Sequence, residues 1–238
     1  MRVLVTRPAH SGERTAQRLR ELGHEPLLLP LTRPIHDAAA ARRGLETTTG
    51  AIAITSAEAV RTLQSLDDAL TPHLSRRLFA VGEMTAEEAR KLGFRSVTTS
   101  SGSGRELAEL IAANNTGGLV YLAGLPRAEA FETRLTELGR QFSVAECYRM
   151  ESIALDPGTV ATFLMRNPPD AVLFYSRQTA ANFFQIPQVE SLLLQLPKIR
   201  LICLSNTVAE AVPSVLRTVL EISPMPDEKS LLSLLRRP

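Results

Sequence analysis

Tryptophan is absent from the 238 residues, aromatic residues amount to 5 %, and the charges nearly cancel at +2. So balanced a chain lacks the electrostatic footprint with which proteins hold nucleic acids or anionic membranes, and neither is expected as a partner. Cysteine is scarce. Cys147 and Cys203 stand far apart, which gives neither a disulfide framework nor a metal-ligand spacing and points to a reducing compartment. The four histidines, His10, His24, His36 and His73, form no HExxH or paired-ligand pattern, so no metal is expected. No run approaches the roughly 18 apolar residues of a membrane span, and the apolar part of "MRVLVTRPAH" is too short for a secretory signal. These absences lead to the expectation of a cytoplasmic protein. Lysine is almost missing too: only Lys91, Lys198 and Lys229 among 27 basic residues, the other 24 being arginine. The arginine fork suits carboxylates and phosphates, although a GC-rich genome accounts for the bias more simply. Finally, there is no GxSxG elbow, and no histidine stands near a candidate nucleophile in the sequence.

What is present is a rhythm. In "LRELGHEPLLL", "ARKLGFRSVTT" and "LTELGRQFSVA" a helical pattern stops at Gly23, Gly93 or Gly139 and an apolar run follows. Glycine just past a helix end adopts the left-handed cap without steric cost, so these are read as helix-to-strand junctions. Matching strands are predicted upstream at 3–6, 78–81 and 119–122. Phe131, Leu135 and Leu138 share one face of the helix before Gly139, and "HDAAAARRG" reads as another helix. Alternating strands and helices of these lengths imply parallel sheets covered on both faces.

The rhythm also repeats. "AIAITSAEAV" from Ala51 resembles "AVLFYSRQTA" from Ala171, and "FAVGEMTAEEA" from Phe79 resembles "ICLSNTVAEAV" from Ile202. Two similar α/β domains are therefore expected. The stretches "LPLTRPIHD" and "VAECYRMESIAL" read as extended crossings. The N-terminal strand-helix-strand is too small to bury its own core. The expected organisation is 1–32 with 153–238 as a discontinuous domain, 38–145 as an inserted domain, and 33–37 and 146–152 as linker strands.

In open parallel sheets ligands bind beyond the carboxyl ends of the strands, where helix N-termini favour anions. That geometry singles out Thr6 and Arg7, Ser56, Thr85, Gly124, Ser176 and Thr207. Taken singly, each serine or threonine is an ordinary N-cap. Thr85 with Glu88, Thr207 with Glu210 and Ser103 with Glu106 stand at capping-box spacing. "SSGSGREL" has neither GxGxxG nor GK[ST] and reads as a loop and cap rather than a phosphate loop. Tyr148 is the polar aromatic of the second crossing, and Tyr175 lies beside Ser176. A strand tyrosine is more often packing than chemistry.

The ordered set "VLVTRP", "ITSAEAV", "AVGEMTAEEARKLGF", "LVYLAGLPRAEAFETRLTELG", "ECYRM", "AVLFYSRQTAANFF" and "NTVAEAV" resembles the uroporphyrinogen-III synthase family over nearly the whole chain. The resemblance implies two flavodoxin-like parallel-sheet domains joined by a two-stranded linker, with a cleft between them. It implies a lyase that converts hydroxymethylbilane, a linear tetrapyrrole with eight carboxylate arms, to uroporphyrinogen III. Water is lost, and the last pyrrole ring is inverted through a spiro intermediate. No cofactor and no metal are implied. The implied substrate-facing residues are Arg7, Ser56, Thr85, Gly124, Arg127, Ser176 and Thr207, and Tyr148 matches the family's linker tyrosine. Ser205 departs from the family, which carries glycine before its second threonine motif. A monomer is expected, handed its substrate by the preceding enzyme. Two alternatives without the ordered motifs are a non-catalytic two-domain anion-binding module and a sugar-phosphate transferase, the latter lacking an acidic metal-binding pair. The isomer formed from hydroxymethylbilane distinguishes all three.

Overall fold

The computed structural model describes residues 1–100, 102–115 and 117–236. The chain opens with β1 (Arg2–Val5), α1 (Ala9–Glu21) and β2 (Glu25–Leu28), followed by β3 (Thr32–His36). Then come α2 (Ala38–Glu46), β4 (Ala51–Ile54), α3 (Ala57–Gln64), β5 (Arg77–Val81), α4 (Glu83–Lys91), β6 (Ser96–Ser100) and α5 (Gly104–Asn114). A second passage follows with β7 (Leu119–Leu125), α6 (Glu129–Glu137), β8 (Ser143–Ser152), α7 (Pro157–Arg166), β9 (Ala171–Phe174), α8 (Arg177–Phe184) and α9 (Val189–Leu194). It ends with β10 (Arg200–Cys203), α10 (Asn206–Ala209), β11 (Leu220–Ile222) and α11 (Glu228–Ser233). Gly23, Gly93 and Gly139 have φ of +80°, +110° and +65°, the left-handed conformation in which a helix ends and turns into the next strand.

The chain divides into two compact units, residues 1–33 with 151–238 and residues 34–150. The first holds a parallel sheet of order β2-β1-β9-β10-β11. In the unit's own strand order this is 2-1-3-4-5, the flavodoxin-like doubly wound arrangement. The second holds β8-β7-β4-β5-β6 as a parallel array, with β3 added beside β8. The Asp37 N–H donates to the Cys147 carbonyl and the Ile153 N–H to the Leu31 carbonyl, so β3 and β8 run antiparallel where the chain passes from one unit to the other.

The two passages have the same plan, and each unit mixes them. β7-α6-β8 repeats β1-α1-β2, and β9 and β10 repeat β4 and β5. The first unit therefore takes its first two strands from the first passage and its last three from the second; the inserted unit does the reverse. Each unit's core is closed within itself. The strands AIAI and AVLF are buried on both faces, as a parallel sheet between helix layers requires. One side of the inserted unit packs Leu45, Ile52, Leu63, Leu78 and Leu122; the other packs Phe79, Ile111, Tyr121, Phe131 and Leu135.

Helix caps depart from the expected pattern in two places. Ser103 and Glu106 form the reciprocal capping box, but Thr85 and Thr207 cap nothing. α4 starts at Gly82 and α10 at Ser205, so both threonines fall inside the first turn. Gly82 has φ +72°, whereas Ser205 is extended and accepts from the Val208 N–H. The serine thus replaces a left-handed glycine with a side-chain cap. Of the segment around Ser103, Ser101 lies outside the described residues.

Because the cores are separate, a fragment of residues 34–150 is expected to unfold cooperatively in urea, followed by far-ultraviolet circular dichroism. Residues 1–33 alone should show no transition. A non-cooperative 34–150 fragment would mean that the inserted unit depends on the rest of the chain.

Candidate functional site

At the carboxyl end of the inserted sheet, one irregularity decides where a phenol points. β7 and β8 pair in register through Ala123 and Glu146, after which Gly124 pairs with Tyr148. Cys147 is the extra residue, a β-bulge that re-aims the side chain after it. Without the bulge Gly124 would face Cys147, and Tyr148 would project from the opposite face. The ring of Tyr148 instead lies against Gly124. A Cβ on Gly124 would come within 2.1 Å of Tyr148 Cζ and 2.4 Å of its hydroxyl oxygen, so only glycine admits the ring there.

The Tyr148 side chain lies beside that of Ser56. Ser56 is the N-cap of α3 and accepts from the Glu58 N–H at 3.2 Å. Burial pushes the phenol up to about 12, against the lowering effect of the Ser56 hydroxyl. Tyr148 therefore keeps its proton at any physiological pH and serves as a hydrogen-bond donor. Ser56, Gly124 and Tyr148 thus meet in one place.

Charged groups brace this corner. Glu58, only 7 % exposed, pairs with His36 Nε2 at 3.0 Å and with Arg61. Arg61 in turn grips both oxygens of Glu88 at 3.0 Å, joining α3 to α4. Thr85 is buried in the first turn of α4. Arg127, after β7, pairs with Glu132 at 2.7 Å and Glu146 at 3.4 Å, so its charge is already answered within the unit. Tyr121 is fully buried, with its hydroxyl 2.8 Å from Thr55 Oγ1. Sequence reasoning overlooked Tyr121 and Glu58; the one available signal was a hydroxyl-bearing aromatic in the apolar run "LVYLAG".

The discontinuous unit carries the sister positions. Ser176 caps α8 with φ −144° and ψ 149°, close to the −152° and 148° of Ser56. Its hydroxyl also meets Thr179 Oγ1 at 2.8 Å. Thr207 is exposed in the first turn of α10. Thr6 is buried and donates to the Leu173 carbonyl, tying β1 to β9. Arg7 lies over the Tyr175 ring, 4.1 Å from its centroid. Its Nη1 donates to Glu228 at 2.9 Å and to Thr15 at 3.1 Å. Glu228 also receives Arg18, the Thr15 hydroxyl and the Tyr175 hydroxyl. Burial pushes the Glu228 carboxyl up, but Thr15, Arg7, Tyr175 and Arg18 together outweigh burial and hold it below the ordinary glutamate range. This cluster was invisible in the sequence, because α11 joins α1 only through the fold.

Among the described residues no group of His, Cys, Asp and Glu could hold a metal ion, and no helix is long and apolar enough to cross a membrane. Both cysteines are buried, and burial lifts each thiol to about 12.

Two doubly wound units, each presenting hydroxyls and helix starts at its sheet's carboxyl edge, define a two-domain α/β protein built to hold a ligand beyond its strand ends. The family model described as "Uroporphyrinogen-III synthase HemD" matches residues 13–233, and the chain belongs to the uroporphyrinogen-III synthase family. It is accordingly a lyase of tetrapyrrole biosynthesis that closes hydroxymethylbilane to uroporphyrinogen III, and its substrate is a small-molecule tetrapyrrole. Among solved structures, uroporphyrinogen-III synthetase from Helicobacter pylori is 19 % identical, with a TM-score of 0.65 over 99 % of this chain and 98 % of that one. A mutant uroporphyrinogen III synthase from Thermus thermophilus is 20 % identical, with a TM-score of 0.55 over 99 % and 98 %. At these identities both are likenesses of fold. No curated protein sequence matches.

Gly124→Ala is expected to expel the Tyr148 ring from its seat. Stability should fall by about 1–3 kcal/mol in urea denaturation, and turnover should fall with it even at temperatures where the variant is fully folded. Wild-type turnover in Gly124→Ala would mean that the ring position is immaterial.

Because the folded Glu228 carboxyl titrates below its unfolded value, the stability it adds is present above the ordinary glutamate range and is lost as pH falls through the lowered folded value. Glu228→Gln is expected to cost about 2 kcal/mol at neutral pH and to flatten the acid limb of a urea-midpoint profile. An unchanged acid limb would remove Glu228 as its source.

Proposed function

We propose that Tyr148 is the group that assists departure of the substrate hydroxyl, with Ser56 and Gly124 fixing its direction. The supporting observation is the seating of the Tyr148 ring on Gly124, beside the Ser56 side chain, at the strand ends where an α/β sheet receives ligand. A phenol near 12 does not release its proton to solvent, yet it donates a hydrogen bond that strengthens as negative charge grows on a leaving oxygen. The C–O bond breaks under that hydrogen bond, and a solvent proton completes the departing hydroxyl as water. The terminal ring bonds through its substituted carbon to the methylene so freed, giving the spiro arrangement; its old methylene bond breaks, its free carbon takes up that methylene, and the proton lost on regaining aromaticity returns to solvent.

Selecting the inverted isomer requires the chain to be held in one shape, because an unguided bilane closes to the non-inverted product. Holding is a matter of position and lost entropy rather than of strong acids. We assign the holding of carboxylate arms to the helix starts at Ser56, Thr85, Ser176 and Thr207, whose unpaired N–H groups favour anions. Arg7 and Arg127 contribute by exchange, since a substrate carboxylate must compete with Glu228 at the first and with Glu132 and Glu146 at the second. A cytoplasmic monomer that receives its bilane from the enzyme producing it completes this reading; the two unpaired buried cysteines agree with a reducing compartment.

Tyr148→Phe keeps the ring and removes the hydroxyl. Turnover of hydroxymethylbilane is expected to fall on the order of 10²-fold with little change in KM. Chromatography should show more non-inverted isomer, as unreacted bilane closes unaided. Ser176→Ala and Thr85→Ala should cost little, since anion holding is spread over many donors. Normal turnover and pure inverted product from Tyr148→Phe would reduce Tyr148 to a packing residue.

A further inference from the structure

Tyr121 heads the fully buried side chains of the protein, at 0 % exposure. Its ring packs edge-on against Phe131, with centroids 4.8 Å apart and planes at 67°, as core aromatics do. Packing needs only the ring. A buried hydroxyl is costly unless it is hydrogen-bonded, and phenylalanine would fill the same space without that demand. The hydroxyl is met by Thr55 Oγ1, 2.8 Å away, and the backbone of Ala128 lies close enough to favour negative charge on it.

These two neighbours are not arbitrary. Thr55 immediately precedes Ser56, the cap of α3, and Ala128 is the N-cap residue of α6, which has no side-chain cap of its own. β4 and β7, the strands leading into these helices, are neighbours in the sheet. Their strand order is the switch point of the inserted unit: from β4 the chain proceeds outward through β5 and β6, then returns to β7 on the other side. One buried phenol, bonded to Thr55 and beside Ala128, therefore sits between the two helix starts at the switch point where such folds receive ligand.

We infer that Tyr121 is a positioning residue for the reaction: through Thr55 it sets Ser56, and through Ser56 the direction of the Tyr148 hydroxyl. This rests on the placement of Tyr148 and Ser56 in the proposed site. Tyr121 is too deeply buried to touch substrate, and its burial, which raises the phenol, keeps its proton in place. Its effect is on geometry. A hydroxyl that only packs would influence stability alone, whereas one that aims Tyr148 influences the chemical step and leaves binding intact.

The test is steady-state turnover of hydroxymethylbilane by Tyr121→Phe, Thr55→Val, Thr55→Ser, the Tyr121→Phe/Thr55→Val pair and Phe131→Leu, below their melting transitions. Tyr121→Phe is expected to lower kcat about tenfold, with KM within about twofold of wild type. The double variant should be no slower than the slower single variant, since both remove one bond. Thr55→Ser, which retains a hydroxyl, should keep wild-type kcat. Phe131→Leu disturbs the ring contact but not the hydroxyl; it should lower the urea midpoint and leave kcat unchanged. The inference is overturned if Tyr121→Phe turns over normally, if the two single losses multiply, or if Phe131→Leu loses as much kcat. Tyr148→Phe run alongside separates the two levels. If it is impaired while Tyr121→Phe is normal, only the positioning role fails; if it is itself normal, the site and this inference fall together.

Discussion

The central pairings of both sheets, β1 with β9 and β4 with β7, join strands from different passages of the chain. Everything else in the architecture follows from that constraint. A strand at the middle of a parallel sheet is buried on both faces and bonded on both edges, so neither passage could complete a sheet from its own strands without remaking its core. The chain must therefore cross between units twice, and it does so along β3 and β8. The second crossing starts as an ordinary sheet strand beside β7 and ends in the other unit. The register shift that turns Tyr148 over Gly124 lies a few residues before that transition.

Much of this was legible in residues. The three junction glycines sit where the chain leaves a helix, and their positive φ follows from the same steric reason that marks them in the sequence. The paired phrases around Ser56 and Ser176 foretold two caps of nearly identical backbone conformation, because an N-cap is a local feature. Other features could not be read. The caps at Gly82 and Ser205 lie two or three residues before the threonines that carry the capping-box spacing, and the same spacing is as compatible with a residue inside the first turn. The bulge at Cys147 leaves no sign in "AECYRM": a one-residue slip changes which face a side chain takes without changing composition. Glu228 and Tyr121 act through contacts whose partners are set by packing, and no periodicity encodes them.

Arginine was read as the natural holder of substrate carboxylates, yet both arginines singled out are already paired with the protein's own glutamates. The pairings differ in kind. Glu228 is 12 % exposed and gathers several donors, so separating it from Arg7 would strip a largely buried carboxylate of one of its two guanidinium partners. Arg127 and its partner Glu146 are about 40 % exposed, and exposed pairs of this kind are worth on the order of 0–1 kcal/mol. Exchange with an incoming carboxylate, as proposed for both, would cost less against Glu146 at Arg127 than against Glu228 at Arg7.

The proposal that Tyr148 assists the leaving hydroxyl asks how a lyase of this family would work with so weak an acid. A carboxylic acid near the leaving hydroxyl would be a stronger proton donor, but at neutral pH it would be ionised unless buried, and a carboxylate there would repel the eight acidic arms of the substrate. A buried phenol avoids both difficulties: it is neutral before the reaction, it keeps its proton across the physiological range, and it donates without adding negative charge to a site that must attract anions. The cost is low acidity, so its hydrogen bond helps only if its direction is right when charge develops. On the proposed role of Tyr148 the demand falls on geometry, and the groups around it bear on that: glycine beneath the ring, serine beside it and a bulge that sets the face. Weak acidity and rigid aiming are thus two sides of one arrangement, because a donor of this kind gains its effect from position alone.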